Sequence, residues 1–360
     1  TDGLIKLARD VSTQPTEREM DVLLATGEQT TIALTAMAIN ALGGKAVSLT
    51  GAQAGIITNG IHTKAKISNI APRQVRQYLK EGFVCIVAGF QGQTLEGRIT
   101  TLGRGGSDLT AIAIAAAVKA DMCEIYTDVD GVYTCDPRVV PNARKIDVIA
   151  YDELLEMASS GSKVMQSRSV EFAKKFKVPF EVRSSFNTNR GTIVKEESIG
   201  LENVVVRGVS IERKQAKVTI TNVPDKPGTA SRIFTALSEA NVIIDVIVQN
   251  VSVSGSTDIS FTLSADELEK LGDLIDRVAA EIGAGQVTKK SGIAKLSVVG
   301  IGMRSHSGVA ATLFESLGHG GVNIQMISTS EIKIAVIIDE AQIELAAKLA
   351  HTAFGLDATA

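Results

Sequence analysis

Cysteine is scarce in this chain of 360 residues. Cys85, Cys123 and Cys135 are odd in number and lack the spacing of a metal site, so the sequence predicts a reduced, cytoplasmic protein without a disulfide framework or a protein-held metal. Proline is sparse too, at 7 residues against 32 glycines. Hydrophobic residues make up 44% and charged residues 21%, which excludes disordered, collagen-like and low-complexity classes. Long basic runs are absent and the net charge is −3, an argument against a nucleic-acid partner. Long apolar runs are missing as well. The most apolar stretches, 111–118 and 332–338, fall far short of the roughly 20 residues of a spanning helix, so no membrane is expected. The chain opens on Thr1-Asp2-Gly3-Leu4 and has no initiator Met, signal peptide or transit peptide, which predicts a start inside a larger gene product.

The length suffices for two or three domains, each able to bury a core. Near the C-terminus there is an internal duplication. Residues 224–237 read PDKPGTASRIFTAL and residues 304–317 read RSHSGVAATLFESL. Gly228 and Gly308 lie 80 residues apart, and the same offset pairs Ala230 with Ala310, Phe234 with Phe314, Leu237 with Leu317, Val242 with Val322 and Ile247 with Ile327. A duplicated module behind a region of different composition suggests a sensor attached to a working domain.

Helical spacing over 20–42 stops at Gly43-Gly44, before a strand-like 45–49. Helix 72–80, strand 83–88, helix 107–119, strand 123–127, helices 152–157 and 166–176 and strand 179–182 follow. This alternation predicts a mostly parallel sheet in a three-layer α/β/α domain. The sequence turns polar and glycine-punctuated over 184–200, which places a domain boundary there: 1–200 form the larger domain and 201–360 the duplicated region. Each repeat reads strand, helix, strand, strand, helix. The first, about 215–290, has strands 218–223, 243–251 and 258–263, a helix with Ile233, Leu237 and Ala240 on one face, and a second helix lined by Leu268, Leu271 and Ile275. The second, about 291–360, places 296–301, 309–317, 323–328, 332–338 and 343–349 likewise. This is a ferredoxin-like split βαβ unit. Such small sheets pair to cover their edges, which predicts one continuous sheet with ligand pockets at the seam.

In the larger domain, residues 101–108, TLGRGGSD, set a glycine turn directly before an apolar helix. Backbone N–H groups and a positive dipole end there suit an anion, and the same residues suit a plain helix cap by Ser107 or Asp108. The P-loop spacing is missing. Residues 126–138, YTDVDGVYTCDPR, put polar groups just after a strand, where open α/β sheets bind ligands; Asp130-Gly131 and Asp136-Pro137 equally serve as turn formers. Residues 161–164, GSKV, bring a cation near another helix start, and Glu28, after a glycine in a helical pattern, suits either solvent or an ammonium group.

In this combination and order, ATGEQ (25–29), AGFQG (88–92), TTLGRGGSD (100–108), TDVDGVYTCDPR (127–138) and MASSGSKV (157–164), followed by two ACT modules, resemble aspartate kinase of the amino-acid kinase superfamily over essentially the whole chain. The resemblance implies an amino-acid kinase α/β/α domain followed by two ferredoxin-like βαββαβ ACT modules. It implies transfer of a phosphoryl group from ATP, with Mg2+, to the side-chain carboxylate of L-aspartate, the first step toward lysine, threonine and methionine. On this resemblance Glu28, Phe90, Arg104, Ser107 and Asp108 form the aspartate site, with Arg104 and Asp108 catalytic, and Thr127, Asp128, Tyr133, Asp136, Arg138, Lys163 and Val164 line the ATP site. The chemistry agrees: Arg104 offers a planar fork to a carboxylate, Glu28 and Asp108 suit the substrate ammonium, and phosphoryl transfer needs alignment and charge neutralisation more than a nucleophile.

For the ACT modules the resemblance implies feedback inhibition by lysine, threonine or both, bound by Asp225, Gly228, Ala230, Asp245 and Gln249 of the first module with Asn323, Ile324 and Ser330 of the second. It also implies a homo-oligomer paired through these modules. No dehydrogenase region follows them, so a monofunctional kinase is expected. One departure stands out. The family opens with a strand ending in KFGGTSV, whose lysine contacts the transferring phosphate, and this motif is absent from 1–360, which implies that these residues alone are inactive. Two other readings stay open: an amino-acid kinase acting on glutamate, carbamate or UMP, and a non-catalytic effector-binding subunit.

Overall fold

The structure, a computed structural model, describes residues 1–161, 164–196, 205–250 and 255–357. Backbone contacts divide the chain between two compact units. The first comprises Thr1–Val132, Ile146–Ala158 and Lys163–Ser198, and the second Tyr133–Lys145, Ser159–Ser162 and Ile199–Ala360.

The first unit opens with α1 (Asp2–Val11) and α2 (Glu17–Ala41). Glu17 and Glu19 in the first turn of α2 complement its dipole. The helix stops where Gly43 takes a φ of +84° and Gly44 packs so tightly that a Cβ there would strike Ile39. There follow β1 (Ala46–Leu49), β2 (Ile56–Thr58), β3 (Ile67–Ile70), α3 (Arg73–Lys80), β4 (Val84–Val87), β5 (Gln91–Gln93), β6 (Ile99–Thr101), α4 (Gly106–Val118), β7 (Cys123–Thr127), β8 (Val148–Ala150), α5 (Tyr151–Ser159), α6 (Ser167–Phe176), β9 (Phe180–Ser184) and β10 (Thr192–Lys195). β1 and β4 form a parallel pair. A second sheet, β7-β9-β10-β8, is parallel except between β9 and β10. The third, β3-β2-β5-β6, is mainly antiparallel and was not foreseen, because strands of three or four residues are too short to show a period of two.

α2 also revises the expectation about apolar runs. By length and composition alone it could cross a bilayer, since scattered Thr, Glu and Gln interrupt any continuous run while leaving the average apolar. Here it packs on β1 and β6 and turns Asp21, Ala25, Ile32 and Ala36 inward.

The second unit holds β11 (Gly208–Pro224), α7 (Thr229–Glu239), β12 (Ile247–Gln249), β13 (Ser256–Ser264), α8 (Ala265–Leu271), α9 (Leu274–Glu281), β14 (Val287–Val299), α10 (Val309–His319), β15 (Met326–Thr329), β16 (Lys333–Asp339) and α11 (Ile343–Ala353). Its strands make one antiparallel sheet in the order β12-β13-β11-β14-β16-β15. The duplication is visible in the backbone: α7 follows Gly228 at φ +93° and α10 follows Gly308 at φ +97°, left-handed positions that favour glycine. The modules are interleaved. Within the long β11–β14 ribbon, Gly208–Glu212 pair with Lys295–Val299 while Lys217–Ile220 pair with Val287–Lys290, so residues preceding the first module complete the sheet of the second.

Two local differences have simple causes. The second helix of the first repeat breaks at Gly272 (φ +48°) into α8 and α9, and α8 starts with an N-cap in which the Ser264 hydroxyl accepts the Glu267 N–H at 3.2 Å. The strand expected over 243–251 forms only at 247–249, and residue 251 lies outside the described residues.

Each module has its own core. Val218, Ile220, Phe261 and Leu263 pack on Ile233, Leu237 and Ile275 in the first. Leu296, Val298, Val336 and Ile338 pack on Leu313, Leu317, Ala346 and Ala350 in the second. The segment Tyr133–Lys145 joins this second core through Cys135, Val139 and Val140. Thr134 Oγ1 lies 2.9 Å from His351 Nε2, and Arg144 Nε donates to Leu356 O at 2.8 Å.

Candidate active site

The residues expected to hold the acceptor substrate all fall in the first unit, around the start of α4. The turn before that helix uses Gly103 and Gly105 at φ +78° and +71°. It leaves no room for larger residues: a Cβ at Gly105 would overlap Gln166, and one at Gly106 would strike Leu102 and Phe90. Gly89 packs just as closely on Ser107: a Cβ there would come within 2.8 Å of the Ser107 Oγ. Leu102 N–H donates to Phe90 O at 2.9 Å, and Phe90, itself left-handed at φ +51°, donates its N–H to Thr110 Oγ1 at 3.0 Å. These contacts seat Phe90 against the first turn of α4 with Ser107 beside Gly89.

Arg104 projects from this turn, exposed and without a partner among the described residues. The N–H groups of Ser107 and Asp108, at the positive end of α4, likewise have no acceptor there. Asp108 follows in the first helical turn, where burial pushes its carboxyl above the usual aspartate value. Glu28 lies on α2, half-buried. Gln91 Nε2 donates to Ala25 O at 3.1 Å and Gln29 Nε2 to Gln91 Oε1 at 3.3 Å, which ties the turn of α2 that carries Glu28 to the residue next to Phe90. The turn thus carries an exposed forked cation and free N–H donors, with the Asp108 carboxylate in the helical turn that follows.

The residues expected to bind ATP are divided. Thr127 and Asp128 end β7 in the first unit, where the Thr127 hydroxyl lies 3.1 Å from the Asp128 carboxylate and Thr127 O accepts from Ser185 N–H. Val164 belongs to the same unit, and Lys163 lies outside the described residues. Tyr133, Asp136 and Arg138 belong to the second unit. Tyr133 bridges to Lys145. Arg138 grips Asp136 through Nε (3.0 Å) and Nη2 (2.7 Å), and this contact holds the Asp136 carboxyl below its usual value. Among the described residues no three His, Cys, Asp or Glu side chains gather in a way that would hold a metal.

Of the expected effector residues, Asp225, Gly228 and Ala230 gather at the head of α7, with the Asp225 N–H on Gly255 O at 3.1 Å. Asp245 and Gln249 flank or end β12, while Asn323, Ile324 and Ser330 flank β15. Packing of Val246 and Val248 with Ile293, Met326 and Ile337 brings the β12 and β15 regions together on one face of the sheet. Asp245 is already engaged. The fully buried Lys295 ammonium pairs with it and stands 2.7 Å from Glu212 Oε2. Burial alone would lower the Lys295 pKa, but the two carboxylates outweigh burial and raise it.

Sequence reasoning passed over Lys295, although a lysine amid the apolar strand residues 293–299 is a signal of a buried partner. It also passed over Asp21, which sits on the inward stripe 21, 25, 32, 36 of α2, and His351 and Arg168, whose partners are remote in sequence.

The amino acid kinase family pattern matches residues 1–184 and the ACT domain pattern matches 218–271 and 296–354. An aspartate kinase of Pseudomonas putida is 52% identical over all of this chain and 88% of its own length. An aspartokinase of Mycolicibacterium smegmatis is 50% identical over 99% of this chain and 86% of its own length. Among solved structures, E. coli aspartokinase III in complex with aspartate and ADP (R-state) superposes with a TM-score of 0.80 at 27% identity, covering 98% of this chain and 79% of that one. The same enzyme in complex with lysine and aspartate (T-state) gives 0.74 at 28% identity, with coverage of 98% and 79%. With the amino-acid kinase fold, the duplicated ACT region and these similarities along the whole of this chain, the chain belongs to the aspartate kinase family.

Proposed function

We propose that the intact protein phosphorylates the side-chain carboxylate of L-aspartate with ATP, giving 4-phospho-L-aspartate, and that lysine, threonine or both inhibit it through the ACT modules. The observation that carries the reading is the exposed Arg104 on a glycine turn at the positive end of α4, with Ser107 and Asp108 in the first turn of that helix. Arg104 binds a carboxylate of aspartate through its planar fork. Glu28 and Asp108 pair with the ammonium, Ser107 donates to the acceptor end, and Phe90 walls the site. An aspartate complex of the E. coli relative supports this choice of acceptor.

ATP fits the remaining donors, and the ADP bound by the same relative supports it. Thr127, Asp128, Tyr133, Asp136, Arg138, Lys163 and Val164 would hold the nucleotide, and the free N–H groups opening α4 would face its terminal phosphate. When bound, Mg2+ would neutralise charge on the transferring phosphoryl group. Its ligands would come mainly from phosphate and water with one or two carboxylates. The work left to the chain is alignment and electrostatic stabilisation. The lysine complex of the E. coli relative supports lysine as an effector here. Asp225, Gly228, Ala230, Asp245, Gln249, Asn323, Ile324 and Ser330 are the residues assigned to effector binding, in a cytoplasmic homo-oligomer paired through its ACT modules.

The test is Arg104→Ala in the intact protein. It should lower kcat/KM for aspartate by about 2–4 kcal/mol, because a desolvated carboxylate loses its forked partner, and leave the KM for ATP near the parent value. An unchanged kcat/KM for aspartate removes Arg104 from the site.

A further inference from the structure

One more carboxylate lies on the inward stripe of α2, and no substrate role accounts for it. Asp21 is fully buried. Its Oδ1 takes the Thr63 N–H at 3.0 Å and the Thr101 hydroxyl at 2.6 Å, and its Oδ2 lies 2.6 Å from His62 Nδ1. Among the described residues His62 is the one basic side chain paired with it, so the charge is held by a ring nitrogen, a backbone N–H and a hydroxyl.

What these donors have in common is the turn that carries Arg104. Thr101 is the last residue of β6, three positions before Arg104. Thr63 is a β-branched residue held at φ +61°, a conformation that persists only when its surroundings enforce it, and its carbonyl lies where a Cβ on Gly103 would come within 2.9 Å. Ala65 N–H donates to Thr101 O at 2.9 Å. Arg168 of α6 closes the arrangement from the other side, donating to Leu102 O at 3.0 Å and Ala65 O at 2.7 Å. The start of the turn is thus fixed to α2 through one carboxylate. Glu28 lies seven residues further along the same helix, on the same face.

We propose that Asp21 and His62 form a positioning unit that sets the distance between Arg104 and Glu28, and through it the length of amino acid the site accepts, so that aspartate is preferred over the longer glutamate. The inference rests on the reading of the aspartate site given above. Asp21 touches no substrate; it acts through Thr101 and Thr63 on Arg104, and α2 gives it a fixed spacing from Glu28. A carboxylate suits this role because its two oxygens accept from several donors at once and so fix two chain segments at one point.

Thr101→Val removes the hydroxyl without changing side-chain volume, and Thr101→Ser keeps it. In the intact protein Thr101→Val should raise the KM for aspartate about tenfold and narrow the preference for aspartate over glutamate, with kcat and the KM for ATP within about twofold of the parent. Thr101→Ser should restore both. His62→Gln should give the same split, and it decides the matter by the same criteria if Thr101→Val does not fold. The proposal is overturned if the variants match the parent, or if the constants for aspartate and ATP worsen together with no change in the aspartate-to-glutamate ratio, since that is the pattern of a general structural role. Arg104→Ala, measured alongside, separates the two levels. If it weakens aspartate while Thr101→Val does not, the positioning unit alone fails. If it leaves aspartate unaffected, the site reading fails and the positioning unit with it.

Discussion

Asp108 and Lys295 show how burial gives a charged side chain a specific consequence. Because burial raises the Asp108 pKa, its ionised form, the one that pairs with an ammonium, is lost at a higher pH than for an ordinary aspartate. Aspartate affinity should therefore weaken on acidification before exposed carboxylates protonate, and Asp108→Asn should bind weakly at every pH with that dependence flattened; calorimetric titration of aspartate across the acid range checks this. Lys295→Met would leave Glu212 and Asp245 without their common cation. Both carboxylates keep about a third of their exposure, so the loss should be about 2 kcal/mol, below the ~3–5 kcal/mol of a wholly buried pair, and urea unfolding measures it. At this scale the sequence was legible where residue type and backbone coincide, as for Arg104 and Ser107 on a glycine turn. It was not legible where the partner is distant: Thr101 is 80 residues from Asp21, and Lys295 is 50 from Asp245.

Among the elements, the long helices and the repeated strand–helix units followed from hydrophobic period, and the αL glycines at 228 and 308 marked their starts. Short strands such as β2, β5 and β6 did not, because three residues carry no period and pairing decides them. The allocation of Tyr133–Lys145 was hidden too. Read as a loop after β7, it belongs to the second unit, where Cys135, Val139 and Val140 pack in the second ACT core and Thr134 meets His351. Burial lowers the His351 pKa, with Arg144 lowering it further and Asp357 opposing. The unfolded chain therefore takes up a proton near pH 6.5 that the folded chain refuses, so this histidine destabilises the fold progressively as pH falls below 6.5 and is neutral above it. His351→Gln, which keeps a partner for Thr134, should show a smaller drop in Tm between pH 7 and pH 5 than the parent. An equal drop in both would assign the pH dependence to other groups.

At the scale of the whole molecule, an effector bound in the ACT region can inhibit only by favouring a state in which the kinase site is less competent. A differential affinity of about 1–3 kcal/mol corresponds to roughly 5- to 150-fold inhibition, and Asp245→Ala or Gln249→Ala should reduce the ratio of rates without and with lysine or threonine toward one. Inhibition unchanged in both variants would place the effector elsewhere. The central claim, that the α4 turn selects aspartate as phosphoryl acceptor, is tested most directly by following ADP release while the intact protein is offered ATP with aspartate, glutamate, carbamate or UMP in turn, and trapping any acyl phosphate formed with hydroxylamine. The account predicts an aspartyl hydroxamate, with glutamate turned over at least about tenfold more slowly, and the loss of that product in Arg104→Ala. Turnover of one of the other acceptors in preference to aspartate, or an Arg104→Ala protein as active as its parent, would contradict it.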